Sequence, residues 1–474
     1  MSGLLGEIHS NAQALGNRTA SLGVIGTNIG NVNSSTYARQ KVETTSYSGP
    51  GGVVFTSSHI TSARDSIVDR QVVEETSQSG AADELASLYE SINNLMSESL
   101  NGSLGASLDT AEAEGTGITG AVSTFFNAWS AYAASPNSSA AAGEVYNAAE
   151  ELVSRLNTAS ADLESLKTSK SDELDADVAD ANSLLASIAE YNKNIIGMEA
   201  RNPGSSATMK DEREAAMEKL AKLVNFDSSA EADGSVTITL ASGNSETTKT
   251  LVSGGVAGSI AVTSDASGAY TGLSASFGGS GQSFTPTGGS LSVLNPTVVN
   301  AAVDEVGARL DAVANQLASA VNAAYAASDS SGTAAIFSGS GAGGISLAIT
   351  AASSIKAASS GEAAGGNSVA LAITSLRSAE YSISSGALVD GTLSEAAADI
   401  ATDTALKFND ASEASDAQTE VLSMVRSNRD DLTGTSTDEE MSDLIREQHA
   451  FQASARVLSI VDDLLELVAT RLGA

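Results

Sequence analysis

No cysteine occurs in the chain, so neither a disulfide framework nor a thiolate metal site is available. Histidine is nearly as scarce. His9, His59 and His449 are the whole supply, and no two of them share a metal-ligand spacing. His9 and His449 sit on periodic apolar segments and read as polar flank residues. Proline numbers only 5 and aromatics make up only 4% of 474 residues, while alanine and serine abound. A chain poor in proline and rich in alanine suits long helices packed through small side chains. Cations are also few. The 24 lysines and arginines face 58 acids, giving a net charge of −34 that nucleic-acid backbones and anionic membranes repel. No apolar run is long enough to span a bilayer. No basic stretch followed by an apolar core opens the chain, so the expectation is a protein that keeps its N-terminus, either in the cytosol or exported without cleavage.

Catalytic signatures are missing as well. There is no HExxH, no phosphate-cradling GxxxxGK[ST] and no GxSxG. "GTGITG" at 115–120 has GxGxxG spacing but follows acidic "DTAEAE" rather than an apolar strand, and reads as a loop between helices. Asp175, Asp177 and Asp180 lack the glycine and closing glutamate of a calcium loop and read as a solvated helix face. Carboxylate pairs are too plentiful to single out any one. The reading is a non-enzyme with no cofactor, no metal and no catalytic residues.

What the chain does carry is periodicity. Leu4, Ile8, Leu15, Leu22, Ile25, Ile29 and Val32 follow alternating steps of four and three, interrupted only by Asn11 and Arg18. That is the seam of a helix built to lie on another helix, and a polar seam residue fixes register. At the far end Leu444, Phe451, Leu458, Leu465 and Leu472 recur every seven residues, widened by Ala455, Val461 and Val468. Ser436/Glu439 and Thr437/Glu440 have capping-box spacing, so that helix is expected to begin near 437. Three internal seams follow the same stepping: Val145 to Leu166, Leu174 to Ile195, and Val299 to Leu317. A shorter one ends near Phe226. Separate long antiparallel helices are expected from them.

Residues 227–296 break the pattern. Val236, Ile238 and Leu240 alternate with threonine, and Ile260–Val262 and Leu273–Phe277 are further strand candidates. Residues 328–395 are rich in glycine and serine and are expected to be irregular. The expected class is mainly α: an elongated multi-domain chain whose terminal helices pair as a coiled coil, with a long-helix bundle and a small β-rich insertion. The division drawn is 1–45 with 430–474 as a terminal assembly unit, 46–226 with 297–429 as a helical body, and 227–296 as an inserted outer domain.

Four stretches carry a family resemblance. "TNIGNVNSSTYARQ", residues 27–40, resembles the N-terminal signature of bacterial flagellar axial proteins, roughly (S/A)NN(I/L)ANxNTxGY. Asn28, Asn31, Asn33 and Tyr37 carry it. The continuation Arg39-Gln40 is similar to the FlgK branch of hook-associated proteins. "GTSTDEEMSDLIREQHAFQASARVLSIVDDLLELV", 434–468, resembles the C-terminal pattern of that family. "DEREAAMEKLAKLVNF", 211–226, is similar to the run that precedes the inserted domain of FlgK, and the run from Phe125 to Asn157 also resembles that family. Thr36 stands where the family has glycine. The resemblance implies a structural subunit at the flagellar hook–filament junction, with its terminal helices lining a tube. It implies export through the flagellar type III apparatus, with an export chaperone, to the extracellular flagellum. The implied partners are further copies of the chain, the hook protein and the third hook-associated protein. Other readings are another axial protein (hook, rod or third hook-associated protein), and an enzyme or ligand-binding module displayed on an axial scaffold.

Overall fold

A computed structural model describes residues 2–48, 54–101, 117–202, 204–240, 249–279 and 281–472. The first helix, α1, runs Ser2–Gly30 and is followed by a hairpin of β1 (Gln40–Ser48) and β2 (Val54–Ser62). Next come α2 (Ser66–Asn101), α3 (Ile118–Ala134), α4 (Ser139–Glu199) and α5 (Ala207–Leu223). The inserted region contributes β3 (Phe226–Ala230), β4 (Val236–Leu240), β5 (Thr250–Ser253), β6 (Val256–Ala257), β7 (Ser259–Ser264), β8 (Tyr270–Ser276) and β9 (Gln282–Phe284). The short α6 (Ser290–Val293) and long α7 (Pro296–Tyr325) return the chain to helix. Two-residue strands β10 (Phe337–Ser338) and β11 (Ser346–Leu347) and the helix α8 (Ser368–Ser375) punctuate irregular chain before α9 (Leu393–Thr433) and α10 (Thr437–Leu472).

The seams at Val145–Leu166 and Leu174–Ile195 belong to one helix, not to two antiparallel ones. Alpha-helix α4 is 61 residues long, and no glycine or proline lies between Gly143 and Gly197 to end it. The polar stretch "LKTSKSDEL" suggests a break, but the seam passes straight through it at Lys170. This lysine is buried and its ammonium sits 2.8 Å from both Glu84 and Glu173, which raises its pKa against the opposing effect of burial. An ion pair therefore fills a seam position where sequence periodicity looks for an apolar side chain.

The hairpin β1–β2 was not anticipated. Its signal is Val, Thr, Tyr, Phe and Ile flanking Gly49-Pro50-Gly51-Gly52, with turn residues that lie outside the described ones. In the inserted region the three expected strands fall on β4, β7 and β8. They belong to two small antiparallel sheets, β3-β4-β5-β6 and β7-β8-β9. Asn192 of α4 clamps the first: its amide donates to Val236 O and Gly254 O, and its oxygen accepts from Val236 N and Arg213. Asn182, ten residues earlier, pairs the same way with Ile260 N and O.

The chain divides into two compact units. One holds residues 1–81, 176–292 and 417–474; the other holds 82–175 and 293–416. In the second unit six aromatics form one cluster. Phe125 stacks edge-on to Trp129 at 6.3 Å and meets Phe337 at 5.7 Å, while Trp129 meets Tyr325 at 6.2 Å. Tyr132 and Tyr325 hydroxyls donate to Ile355 O and Ser354 O, and Asn322 pairs with Ile336 and Phe337 backbone, so the irregular 328–395 stretch is anchored by side chains of α3 and α7. Among the described residues no helix is long and apolar enough to cross a membrane.

Candidate assembly site at the neck of the terminal helices

Helices α1 and α10 pack on one another within the first unit. Arg18 meets Glu447 and Asn28 meets Glu440, so the two helices run antiparallel. Arg18 is one of the two polar breaks in the N-terminal seam. It donates to both carboxylate oxygens of Glu447 at 2.9 Å, a contact that fixes register. Ile25 is buried in α1, and Ile8, Leu15, Leu22 and Ile29 are half-buried, as is Val32 just beyond the helix. On α10 the half-buried positions include Leu444, Phe451, Ala455, Leu458 and Val461. The side chains of Leu4, Leu465, Val468 and Leu472 lie outside the described residues. A second apolar face of α10 stays open: Met441, Ile445, Val457, Ile460, Leu464 and Leu467 are 43–58% exposed.

Below Gly30 the chain turns through 31–39 to reach β1. Asn31 closes the helix end, its amide donating to Thr27 O at 2.8 Å, whereas Asn33 is exposed. The centre of the neck is Asn28, 1% exposed. Its amide donates to Gln40 O at 2.9 Å and to Glu440 at 3.0 Å, and its oxygen accepts from Tyr37 OH at 2.7 Å and Gln40 N at 3.0 Å. An asparagine has two donors and an acceptor with two lone pairs, so its capacity is fully used. Arg39 completes the lock: Nε donates to Glu440 at 2.6 Å, a second nitrogen reaches Glu439 at 3.1 Å, and its backbone N–H donates to Thr433 O. The start of α10 at Thr437 is where the capping-box spacing puts it. The carboxylates of Glu439 and Glu440, however, reach across to Arg39 and Asn28.

Two arginines of the body hold the turn from beneath. Arg64 donates to Thr36 O at 2.7 Å, to Asp211 at 2.6 Å and to Asp69 at 3.1 Å. Arg429 donates to Ser35 O at 2.7 Å and to Glu218. Burial raises the pKa of Tyr37, with Asp211 and Glu440 adding to it, so the phenol remains a donor. Burial raises Asp211 and Asp69 also, against the pull of Arg64. It pushes Glu214 up to about 7, with Asp69 adding, and holds Arg213 down to about 10.

A shallow groove of about 210 Å³ runs along the neck, lined by Ser21, Ile25, Lys41, Val42, Asp443 and Arg446 among others. Its charges are mixed. Among the described residues no cluster of three or more histidine and acidic side chains could hold a metal ion. Of the motif residues, Asn28, Tyr37, Arg39 and Gln40 come together at the neck; sequence reasoning had no place for Arg64, Asp211, Glu214 and Arg429 and read Glu440 only as a capping residue. Asp211 and Glu214 lie in the "DEREAAMEKL" run, where their one signal was three acids, with Glu218, spaced on a single helix face.

Residues 108–336 match the family model of the flagellar hook-associated protein FlgK helical domain. Residues 417–472 match the flagellar basal body rod FlgEFG protein C-terminal model. Among solved structures, that of the flagellar hook junction protein FlgK from Burkholderia pseudomallei is similar, with 23% identity and a TM-score of 0.45. The match covers 56% of this chain and 46% of that one, so the chain matches under half of that protein's length. No curated protein matches the chain. The C-terminal model falls on the end of α9 and on α10, the partner of α1, and the helical-domain model falls on α3 to α7. The two matches come in chain order and do not overlap, and over residues 108–336 the chain carries the helical domain of the flagellar hook-associated protein FlgK.

Proposed function

We propose that the chain is a structural subunit joining the flagellar hook to the filament, a non-enzyme that works by self-assembly. The observation that carries this reading is the paired α1–α10 coil with a second apolar face on α10 open to solvent. A helix with one face used inside its own chain and another left apolar is suited to lateral packing. In this reading residues 1–45 with 430–474 form the assembly unit, facing the channel of a tube. Residues 46–226 with 297–429 form the outer helical body, and 227–296 are displayed outermost. The N-terminal seam of Leu4, Ile8, Leu15, Leu22, Ile25, Ile29 and Val32 holds α10 and its neighbours. The C-terminal seam from Leu444 to Leu472 does the same for α1.

The partners are further copies of the chain, the hook protein on one side and the third hook-associated protein on the other. The export apparatus, with an export chaperone, delivers the chain to the extracellular flagellum. Deleting the gene tests this: micrographs of the deletion strain are expected to show hooks without filaments, with filament subunits lost to the medium. Full-length filaments on the deletion strain would overturn the junction reading.

A further inference from the structure

Beneath the neck lies a buried cluster that the assembly reading does not use. Helix α5 presents Asp211, Glu214 and Glu218 at steps of three and four, one face of the helix, together with Arg213. Asp69 enters from α2, Arg64 from the residues just before it, and Arg429 from α9. All but Arg64 are under 10% exposed, and the Arg64 side chain is 18% exposed. Four carboxylates thus face three guanidiniums. Arg426, 40% exposed, approaches one acid of the cluster, Glu218, at 3.6 Å, and donates to Thr76 Oγ1 at 3.5 Å. On the neck side the titratable neighbours are Tyr37 and Glu440, and the nearest cation, Arg39, is committed to Glu440.

The partners are unequally shared. Asp211 and Asp69 take Arg64 at 2.6 and 3.1 Å, and Glu218 takes Arg429. Arg213 spends one nitrogen on Asn192 and Gly234 O. Among the described residues Glu214 has one cation within 4 Å, Arg64 at 3.8 Å, and Arg213 acts on it from farther away. An excess carboxylate that is buried and poorly paired keeps a proton.

We propose that this cluster is a proton-operated clasp on the neck: with Glu214 neutral, Arg64 holds the 31–39 turn by Thr36 O, and ionised Glu214 draws Arg64 away and frees the turn. The same Arg64 nitrogen serves Thr36 O and Asp211, so movement toward Glu214 gives up the carbonyl first. The sign follows from the direction of the shift. Burial, with Asp69, raises Glu214 from an ordinary 4.5 to about 7 in the closed neck, and an opening that lets water reach the carboxyl returns it toward 4.5. The closed state is therefore favoured below 4.5 and loses that advantage as pH rises through 7.

Hydrogen exchange of residues 31–39, corrected for intrinsic rate, tests this on the full chain. Protection in wild type is expected to fall about tenfold between pH 6 and pH 8, the linkage result for those two pKa values. Glu214→Gln is expected to be flat across that range, and the exposed neighbour variant Glu212→Gln to behave as wild type. Arg64→Lys, which keeps the charge but loses the fork, is expected to leave the turn weakly protected at both pH values. Equal wild-type protection at pH 6 and pH 8 overturns the proposal without any variant. A Glu214→Gln chain that still loses protection as pH rises also overturns it.

Discussion

Replacing Asn28 with alanine removes one side chain and strands four groups at once. Gln40 N and O lose their partners at the first position of β1, Tyr37 OH loses its acceptor, and Glu440 loses a donor beside α1. Each is in a buried setting, where an unmet hydrogen bond costs about 1–3 kcal/mol. Glu440 keeps Arg39, and water entering the vacated space recovers part of the loss, so about 3–4 kcal/mol is expected rather than the full sum. The better helix propensity of alanine offsets only about 0.5 kcal/mol. Urea unfolding of wild type and Asn28→Ala, followed by far-UV circular dichroism, measures the difference. Tyr37→Phe alone is expected to cost about 1 kcal/mol, and the double variant less than the sum, because both side chains act through one oxygen. A loss below about 1 kcal/mol for Asn28→Ala would refute the view that this asparagine organises the neck.

Other outcomes follow from the same packing. Asn192→Leu orphans Val236 N and O and Gly254 O, takes one of two acceptors from an Arg213 nitrogen, and is expected to cost about 2–4 kcal/mol in urea unfolding. Lys170→Ala takes the cation away from Glu84, 12% exposed, and from Glu173, and is expected to lower stability by about 2 kcal/mol, whereas Lys170→Met with Glu84→Gln recovers most of that in thermal melts. A methyl group on Gly80 of α2 would sit 2.2 Å from Lys222 O, so Gly80→Ala is expected to force α2 from α5 and lower the melting temperature by several degrees. Leu458→Asp places a carboxylate on the half-buried seam of α10 and is expected to block motility in complementation while the second unit melts as in wild type.

The long helices were legible because their periodicity is local: Val145 and its successors declare a face within a few residues of one another. The neck was legible only as a motif. Asn28 and Tyr37 stand out in the sequence, but the carboxylate that Asn28 binds is 412 positions away. No spacing argument links them. Lys170 misled because a charged residue at a seam position looks like the end of a helix, and only its neighbours Glu84 and Glu173 explain its burial. The hairpin 40–62 was hidden by its many serines, which carry little β preference, and the turn signal of Gly49-Pro50-Gly51-Gly52 between the strands is what should have drawn attention to it. The buried α5 acids were lost among 58 acidic residues, and nothing in the sequence sets them apart from the rest.

The central claim is that α1 and α10 form the joint between subunits. An electron cryomicroscopy map of isolated hook–filament junctions tests it most directly. The account predicts that α1 and α10 line the channel as an antiparallel pair, with Met441, Ile445, Val457, Ile460, Leu464 and Leu467 buried against a neighbouring copy. A map with the terminal helices at the outer surface, or with those six side chains still facing water, would contradict it.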